Sequence, residues 1–180
     1  MKPEIRTIGF DDSPHTRADG RVPVVGVHMR GAQRVEAILS TDVLRDGDDA
    51  TNRVARCVAE SGLRGLRAIL LDGASFAGFN VVDLDGLFAE TGIPCLAFTK
   101  GIPDVDAMRA ALRNVPNSEG KWALLERRRR FVIPTATTPL TVSFAGMADQ
   151  EAAEILALTT ARGHTPEPLR LAHMIAVHVR

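Results

Sequence analysis

The chain has 180 residues, a length typical of one domain, and 45% of them are hydrophobic, which is enough for a substantial core. Its 22 basic and 22 acidic residues cancel, which argues against a strongly basic nucleic-acid-binding protein, so any contact with an anionic polymer must be local. Cys57 and Cys95 stand alone in apolar stretches and predict reduced thiols in a cytoplasmic protein. Residues 1–6 lack the apolar run of a signal peptide, and no stretch approaches the roughly 20 apolar residues of a membrane span.

The first third of the chain predicts an antiparallel meander of three strands followed by a helix. The strand-like runs cover residues 4–10, 22–29 and 33–40. The first run stops at Asp11-Asp12-Ser13-Pro14, a cluster of turn-forming residues. The helix spans about 49–60, where apolar residues recur at helical spacing.

The middle of the chain alternates strands and helices, as a parallel sheet requires. The predicted elements, in order, are a strand at 67–71 ending at Asp72-Gly73, a helix at 81–90 closed by Gly92, a strand at 94–98 running into Thr99-Lys100-Gly101, and a helix at 104–113. A second strand therefore ends at a carboxylate, as the first one does.

The last third predicts three helices and two short strands. They are a helix at 119–128 with Arg127–Arg130 as its solvated end, strands at 131–133 and 141–144, a helix capped by Asp149 and ended by Gly163, and a final helix that starts at Thr165-Pro166-Glu167. In the final helix Leu169, Ala172, His173 and Ala176 share one face, which predicts that His173 points toward the core. No repeat or linker divides the chain, so we expect a single domain over residues 1–180.

This order of elements predicts an α/β fold of RNase H-like type, a mixed sheet in which a three-strand antiparallel meander continues into parallel strands, flanked by helices. In such a sheet the first strand lies beside the fourth, so Asp11 and Asp72 would meet at the carboxyl ends of neighbouring strands. Crowded carboxylates repel one another unless a cation neutralises them, which favours a hard ion such as Mg²⁺ or Mn²⁺. Such an ion suits phosphodiester hydrolysis.

Each of these residues also has an ordinary structural interpretation. Asp72-Gly73 is a common turn, Asp11 and Asp12 can be solvated loop residues, and Lys100 can be an ordinary surface lysine. A histidine on an apolar helix face is more often a hydrogen-bonded core residue than a catalytic group. The acidic residues Asp46, Asp48 and Asp49 can serve only to cap a helix.

Three other interpretations compete with a metal-dependent hydrolase. A serine hydrolase would use Ser75, Asp104 and His173, but Ala77 replaces the second glycine of the G-x-S-x-G turn and no oxyanion loop precedes it. A phosphate-binding loop at Gly73 lacks its lysine. A nuclease fold that kept its shape and lost its chemistry would bind nucleic acid without cleaving it.

Two segments carry a resemblance to a known family. The run DGASFAGFNVVDLDGLFAETGIPCLAFTK from Asp72 to Lys100 resembles the endonuclease V segment that links an Asp-Gly to a functional lysine, and RGHTPEPLRLAH from Arg162 to His173 resembles the motif that carries that family's last active-site residue. Together with IGFDDS and the DGDDAT loop, these segments are also similar to a largely archaeal family designated domain of unknown function ninety-nine. The resemblance covers nearly the whole chain.

The resemblance implies a set of roles, written here as expectations. Asp11 and Asp72 would be metal ligands, His173 would lie near the metal or the leaving phosphate, and Lys100 would approach the scissile phosphate. Endonuclease V has a glutamate at the start of its first helix, and Asp49 takes that place here, with Asp46 and Asp48 as alternatives for the third carboxylate. The substrate would be DNA or RNA, with Phe76, Arg162 and Arg170 as candidate contacts to it.

One element of endonuclease V is absent from the sequence. The chain has no tyrosine, so it lacks the Tyr-x-Pro-Gly wedge that opens strands beside a deaminated base, and residues 39–49, where the wedge would stand, read LSTDVLRDGDD. Base extraction normally requires a wedge and a pocket, and the sequence indicates neither. We therefore expect no preference for inosine.

Overall fold

The computed structural model describes residues 4–134 and 138–179. Its strands are β1 (Arg6–Asp12), β2 (Arg21–Arg30), β3 (Arg34–Leu44), β4 (Leu66–Asp72), β5 (Ser75–Phe76), β6 (Asn80–Val81), β7 (Cys95–Lys100), β8 (Arg129–Ile133) and β9 (Leu140–Ala145). Its helices are α1 (Ala50–Glu60), α2 (Leu84–Thr91), α3 (Val105–Leu112), α4 (Ser118–Glu126), α5 (Asp149–Thr159) and α6 (Glu167–Ala176). None of the helices in these two ranges is long and apolar enough to cross a bilayer. Residues 1–3, part of the segment from which we predicted no signal peptide, lie outside the described residues.

Seven strands form one mixed sheet in the order β3-β2-β1-β4-β7-β9-β8. β1, β2 and β3 are the predicted antiparallel meander, and β1, β4 and β7 run parallel to one another. β9 is antiparallel to β7 and to β8. The predicted fold class is confirmed, including the position of the first strand beside the fourth.

The sheet has helices on both faces because its central strands are apolar on both sides. Ile8 and Phe10 of β1 pack in the same core cluster as residues of α1 and α2, whereas Leu70 of β4 packs with residues of α5 and with Leu169 of α6. Alternate residues along a strand point to opposite faces, so one apolar run supplies both cores. The central strands are thereby fixed between two packed layers, and their carboxyl ends are held at one edge.

Several predicted boundaries were wrong, and the errors at α2 and β8 have a long-range cause. The helix predicted at 81–90 begins at Leu84, because Asn80–Val81 pairs with Ser75–Phe76 in a small two-stranded sheet. The arginines at 127–130 do not end a solvated helix: α4 ends at Glu126, and β8 starts at Arg129 through pairing with β9. The last two helices have Ala148 and Pro166 at their N-caps instead of Asp149 and Thr165.

Candidate active site

Three side chains meet at the carboxyl ends of β1 and β4. Phe10 pairs with Leu71, so the next residues, Asp11 and Asp72, leave the paired strands side by side. His173 of α6 completes the group, and one ligand atom from each of the three residues lies within 4.8 Å of the others. The Nδ1 of His173 is 2.7 Å from the Oδ2 of Asp11. Since an ionised carboxylate only accepts hydrogen bonds, Nδ1 carries the proton in this contact.

The position of His173 depends on how closely α6 approaches β1. A Cβ atom added to Gly9 would lie 2.6 Å from the backbone carbon of Pro168 and 2.8 Å from the backbone nitrogen of Leu169. Only glycine permits this approach. Leu169 is fully buried, while the side chain of His173 is 63% exposed. The prediction that His173 points toward the core was therefore wrong, because it lies at the edge of the buried helix face, beside Asp11.

The start of α6 is braced by an ion pair within the helix. Arg170 donates from Nη2 to the Oε2 of Glu167 at 2.6 Å and from Nε to both carboxylate oxygens, and Glu167 itself is buried. The pair follows from the i, i+3 spacing. Arg170 remains exposed, as does Arg162 in the turn before α6, so both side chains are accessible to a substrate.

Burial and crowding shape the electrostatics of the carboxylates. Burial, and after it the charge of the neighbouring Asp72, raise the pKa of Asp11 to about 6, although the hydrogen bond from His173 opposes the rise. Burial also raises the pKa of Asp72, and the positive charge of Lys100 at the end of β7 lowers it. The site thus holds closely spaced acidic groups whose charge the surrounding protein compensates only in part, which is the arrangement that favours a bound cation.

Asp12 is a further acidic residue of this site, which the sequence led us to regard only as a possible loop residue. Its Oδ2 accepts a hydrogen bond from the amide of Ala77 at 2.9 Å, and burial raises its pKa. Asp12 contributes to the raised pKa of both Asp11 and Asp72. Ala77 has a positive φ of 47°, so the loop after Asp72 is held in an unusual conformation by this contact. The sequence feature that could have identified Asp12 as a site residue is the Asp11-Asp12 pair at the end of the first strand.

The acidic loop lies apart from the group formed by Asp11, Asp72 and His173 and has its own partners. Asp49 accepts hydrogen bonds at Oδ1 from the amide of Leu44 at 3.0 Å and from the Nδ2 of Asn80 at 2.6 Å. Asp46 accepts from the amide of Phe79 at 2.9 Å. The structure therefore does not bring Asp49, our candidate for the third metal ligand, into the cluster, because its carboxylate is used to join the loop to the segment after Asp72.

Asp48 also takes part in a structural contact. It lies 3.6 Å from the buried ammonium of Lys121, which donates to the backbone carbonyl of Asp46 at 2.6 Å. The buried lysine on α4 ties the acidic loop to the helix layer.

Two other sequence expectations are corrected by the structure. Phe76 is 1% exposed and packs in the core, so its ring is not available to stack on a base. Ser75 donates its hydroxyl to the carbonyl of Gly78 at 2.7 Å, and Asp104 caps α3 by accepting from the amide of Ala107. With His173 bonded to Asp11, the serine-hydrolase triad does not form.

The donor set of the cluster fits a divalent cation. Mg²⁺ and Ca²⁺ hold oxygen ligands at about 2.0–2.6 Å, so donors on opposite sides of one ion lie roughly 4–5 Å apart. The 4.8 Å limit on the ligand atoms of Asp11, Asp72 and His173 matches that geometry. Two carboxylates with one imidazole are typical ligands of hard and borderline metal ions.

A model of the Endonuclease dU family matches residues 3–180 of the chain. The chain belongs to this family. Among its relatives, a UPF0215 protein of Thermococcus gammatolerans is 43% identical over 98% of this chain and 92% of the relative, and one of Methanothermobacter thermautotrophicus is 41% identical over 98% and 88%. The resemblance stated from the sequence motifs is confirmed.

Solved structures show the same fold. The crystal structure of a protein of unknown function from Archaeoglobus fulgidus has a TM-score of 0.87 and 29% identity, covering 98% of this chain and all of that one. Human endonuclease V has a TM-score of 0.62 and 20% identity, covering 96% of this chain and 83% of the human one. Endonuclease V of Ciona intestinalis, solved with an inosine-containing DNA, has a TM-score of 0.58 and 16% identity, covering 94% and 83%. Endonuclease V and this Endonuclease dU family member therefore share a nuclease fold.

A cavity of about 340 Å³ opens directly beyond Asp72, and nothing in the sequence indicated it. One wall comes from Gly73, Ala74 and Ser75 in the segment after β4, and the other walls come from α3, α4 and the strands β8 and β9. The size is that of pockets that hold small ligands. The sequence could not indicate this cavity, because it is assembled from segments far apart in the chain.

Proposed function

We propose that this protein is a divalent-metal-dependent endonuclease that hydrolyses phosphodiester bonds in DNA or RNA. The observation that carries the proposal is the meeting of Asp11, Asp72 and His173 within 4.8 Å at the carboxyl ends of two parallel strands. Ligands of open α/β sheets commonly bind at that edge. Membership of the Endonuclease dU family and the fold shared with endonuclease V support nucleic acid as the substrate class.

In the proposed reaction, Asp11 and Asp72 hold a Mg²⁺ or Mn²⁺ ion. When bound, the ion supplies positive charge to the phosphate and makes a water molecule more acidic. Lys100 is exposed at the end of β7 and close enough to Asp72 to lower the pKa of that carboxyl, which suits a contact to the scissile phosphate. With Nδ1 directed at Asp11, the Nε2 atom of His173 is the one that exchanges a proton with water or the leaving oxygen.

Arg162 and Arg170 stand on the exposed side of the same helix entry, and we propose that they contact the phosphate backbone. Backbone contacts of this kind position a nucleic acid without reading its sequence. They also agree with a chain of zero net charge, in which attraction for nucleic acid has to be local.

Which base the protein prefers at the cleavage site does not follow from the metal site. The family's name points to deoxyuridine as the first base to test. Inosine is not expected to be preferred, because the chain has no tyrosine with which to form the wedge of endonuclease V.

The test is cleavage of short oligonucleotides of DNA and RNA that carry deoxyuridine, inosine or no modification, with Mn²⁺ or Mg²⁺ supplied. We expect metal-dependent cleavage by the wild type and none by Asp72→Asn. Asp106→Asn, which changes an exposed aspartate in the first turn of α3, is the matched control and should cleave as the wild type does. Binding of these strands without metal-dependent cleavage would show the alternative, a nuclease fold that has lost its chemistry.

A further inference from the structure

Arg128 lines the cavity beyond Asp72 and carries a guanidinium whose hydrogen bonds are incomplete. Its Nη2 donates to the backbone carbonyl of Ala74 at 2.9 Å and to that of Val82. Its Nε and Nη1 are buried and have no hydrogen-bond partner within residues 4–134 and 138–179. Burial lowers the pKa of Arg128 to about 10, so the group stays charged at neutral pH. A buried charge with unpaired donors is unfavourable unless a ligand supplies acceptors.

The nearby carboxylates have other partners. Asp83 lies 2.6 Å from Nη2 of Arg127, and Asp85 lies 3.7 Å from Nε of the same arginine. Glu126 and Arg130 also line the cavity, but both side chains are exposed, and water weakens the field of an exposed charge. The buried guanidinium of Arg128 is therefore the strongest polar feature that the cavity offers to a ligand.

The rest of the lining suits a flat ring. Phe79, Met108 and Trp122 contribute apolar surface to its walls. Apolar walls with a few fixed polar groups are typical of sites that hold small organic molecules. Gly73, which lines the cavity, is the residue next to Asp72 in the chain. If the phosphate of a bound strand lies at Asp72, a base displaced from that strand is therefore within reach of the cavity.

We propose that Arg128 is a specificity-determining residue that selects a base with a carbonyl oxygen over one with an amino group. A guanidinium only donates hydrogen bonds, so it pairs with the carbonyl oxygen of uracil and repels the amino group that cytosine has at the same ring position. The proposal rests on the proposed function, because it takes the ligand to be a base of the bound nucleic acid. It adds the residue that reads the base.

The experiment measures binding in the presence of a chelator, so that it does not depend on cleavage. Two fluorescent single strands of identical sequence carry either one central deoxyuridine or one central deoxycytidine, and their dissociation constants are compared. We expect the wild type to bind the uracil strand roughly tenfold more tightly, in line with the loss of one charge-assisted hydrogen bond. Arg128→Gln, which both donates and accepts, should bind the two strands equally.

Two further variants keep the result interpretable. Arg128→Lys retains the charge and a donor for the carbonyls of Ala74 and Val82, and should keep part of the preference even if Arg128→Gln unfolds. Arg127→Gln changes the neighbouring exposed arginine, which does not line the cavity, and should leave the preference unchanged. An equal preference in wild type, Arg128→Lys and Arg128→Gln, or no preference in the wild type, would overturn the proposal.

The same proteins assayed with Mn²⁺ separate this proposal from the proposed function. Cleavage that depends on Asp72 but shows no change of base preference in the Arg128 variants would leave the endonuclease intact and remove the role of Arg128. A base preference in binding that depends on Arg128, without any cleavage, would support the role of Arg128 and contradict the proposed endonuclease activity.

Discussion

Asp11 is the residue at which burial and charge repulsion are most concentrated. Its carboxyl is nearly inaccessible to solvent and lies beside Asp72 and Asp12, and its pKa is raised to about 6 from the ordinary value of 3.8. In the absence of a metal, the ionised form of Asp11 is therefore a source of instability. A site that is unfavourable when empty gains more from binding a cation.

The first prediction is a pH-dependent gain of stability in Asp11→Asn. A carboxyl whose folded pKa is above its unfolded value binds protons more tightly when folded, so the free energy of unfolding falls as pH rises from about 4 to about 6 and stays lower above that. In a chelator, Asp11→Asn should then be more stable than the wild type at pH 7, by up to about 3 kcal/mol, with a smaller gain at pH 4. Urea unfolding at the two pH values measures the difference.

Adding Mn²⁺ should reverse the order at pH 7, because the ion stabilises only the protein with both carboxylates. Asp106→Asn should follow the wild type throughout. A gain in Asp11→Asn that is equal at pH 4 and pH 7 would contradict the raised pKa as its cause.

The second prediction concerns His173, whose side chain is 63% exposed. His173→Ala should fold with a stability within about 1 kcal/mol of the wild type, because it leaves the buried face of α6 untouched, and it should lose metal-dependent cleavage. Thermal unfolding and the oligonucleotide assay give the two readouts. His164→Ala, at an exposed residue in the turn before α6, is the control and should change neither. A large loss of stability in His173→Ala would mean that the imidazole is a structural group after all.

At the scale of elements, the contact of α6 with β1 decides whether the site forms. The helix brings His173 to Asp11 only because its first turn rests on Gly9, two residues before that aspartate. The position of His173 in the site thus depends on the close contact between α6 and Gly9 of β1. A substitution there acts on the site without touching any of its residues.

The third prediction follows from this contact. In Gly9→Ala the new methyl group would lie 2.6 Å from the backbone of Pro168, so α6 must move away from β1. We expect a stability loss of about 1–3 kcal/mol, typical of overpacking, and a larger relative loss of cleavage because His173 is displaced. Unfolding midpoints and cleavage rates measure both. Gly20→Ala, where nothing lies within 4 Å of the added Cβ, should match the wild type, and a fully active Gly9→Ala would show that the helix tolerates the shift.

The elements that the sequence predicted well are those with strong local patterns. The strands that end at Asp11 and Asp72 were found because apolar runs stop abruptly at turn residues, and their adjacency followed from the order of elements. The starts of α2 and of β8 were missed because each is decided by pairing with a distant segment, although the strand predicted at 131–133 is the later part of β8. No local pattern in the arginines at 127–130 distinguishes an edge strand from a helix end.

At the scale of the whole molecule, the loops around the site are joined to one another and to α4 by hydrogen bonds. The acidic loop after β3 bonds to the segment after Asp72 through Asp46, and that segment bonds back to Asp12 through the amide of Ala77. Lys121, on α4, fastens the acidic loop from the other side. Sequence could place the carboxylates on their strands. It could not show that the acidic loop bonds to the segments around the site, because that depends on contacts 31 to 75 residues apart.

The same packing bears on how the protein meets a base-paired substrate. Residues 39–49 are where endonuclease V would carry its wedge, and here the end of that stretch is folded back: Asp46 donates its amide to the carbonyl of Ala77 and accepts at its own carbonyl from Lys121. The end of the stretch is therefore bonded to other segments of the protein through Asp46. The cavity beyond Asp72 can receive a base, but this loop provides no aromatic side chain to force a pair open.

The last prediction is a preference for unpaired substrate. Opening a base pair costs a few kcal/mol, and without a wedge that cost is not offset by the protein, so a deoxyuridine in a single strand should be cleaved at least tenfold faster than the same residue in a fully paired duplex. A bubble that leaves only the central bases unpaired isolates the cause, since it keeps duplex flanks for the backbone contacts and removes the cost of opening. Its rate should approach that of the single strand. Equal rates on duplex and bubble would show that the protein opens pairs by another route, and the acidic loop would then be the first place to look for the element that does so.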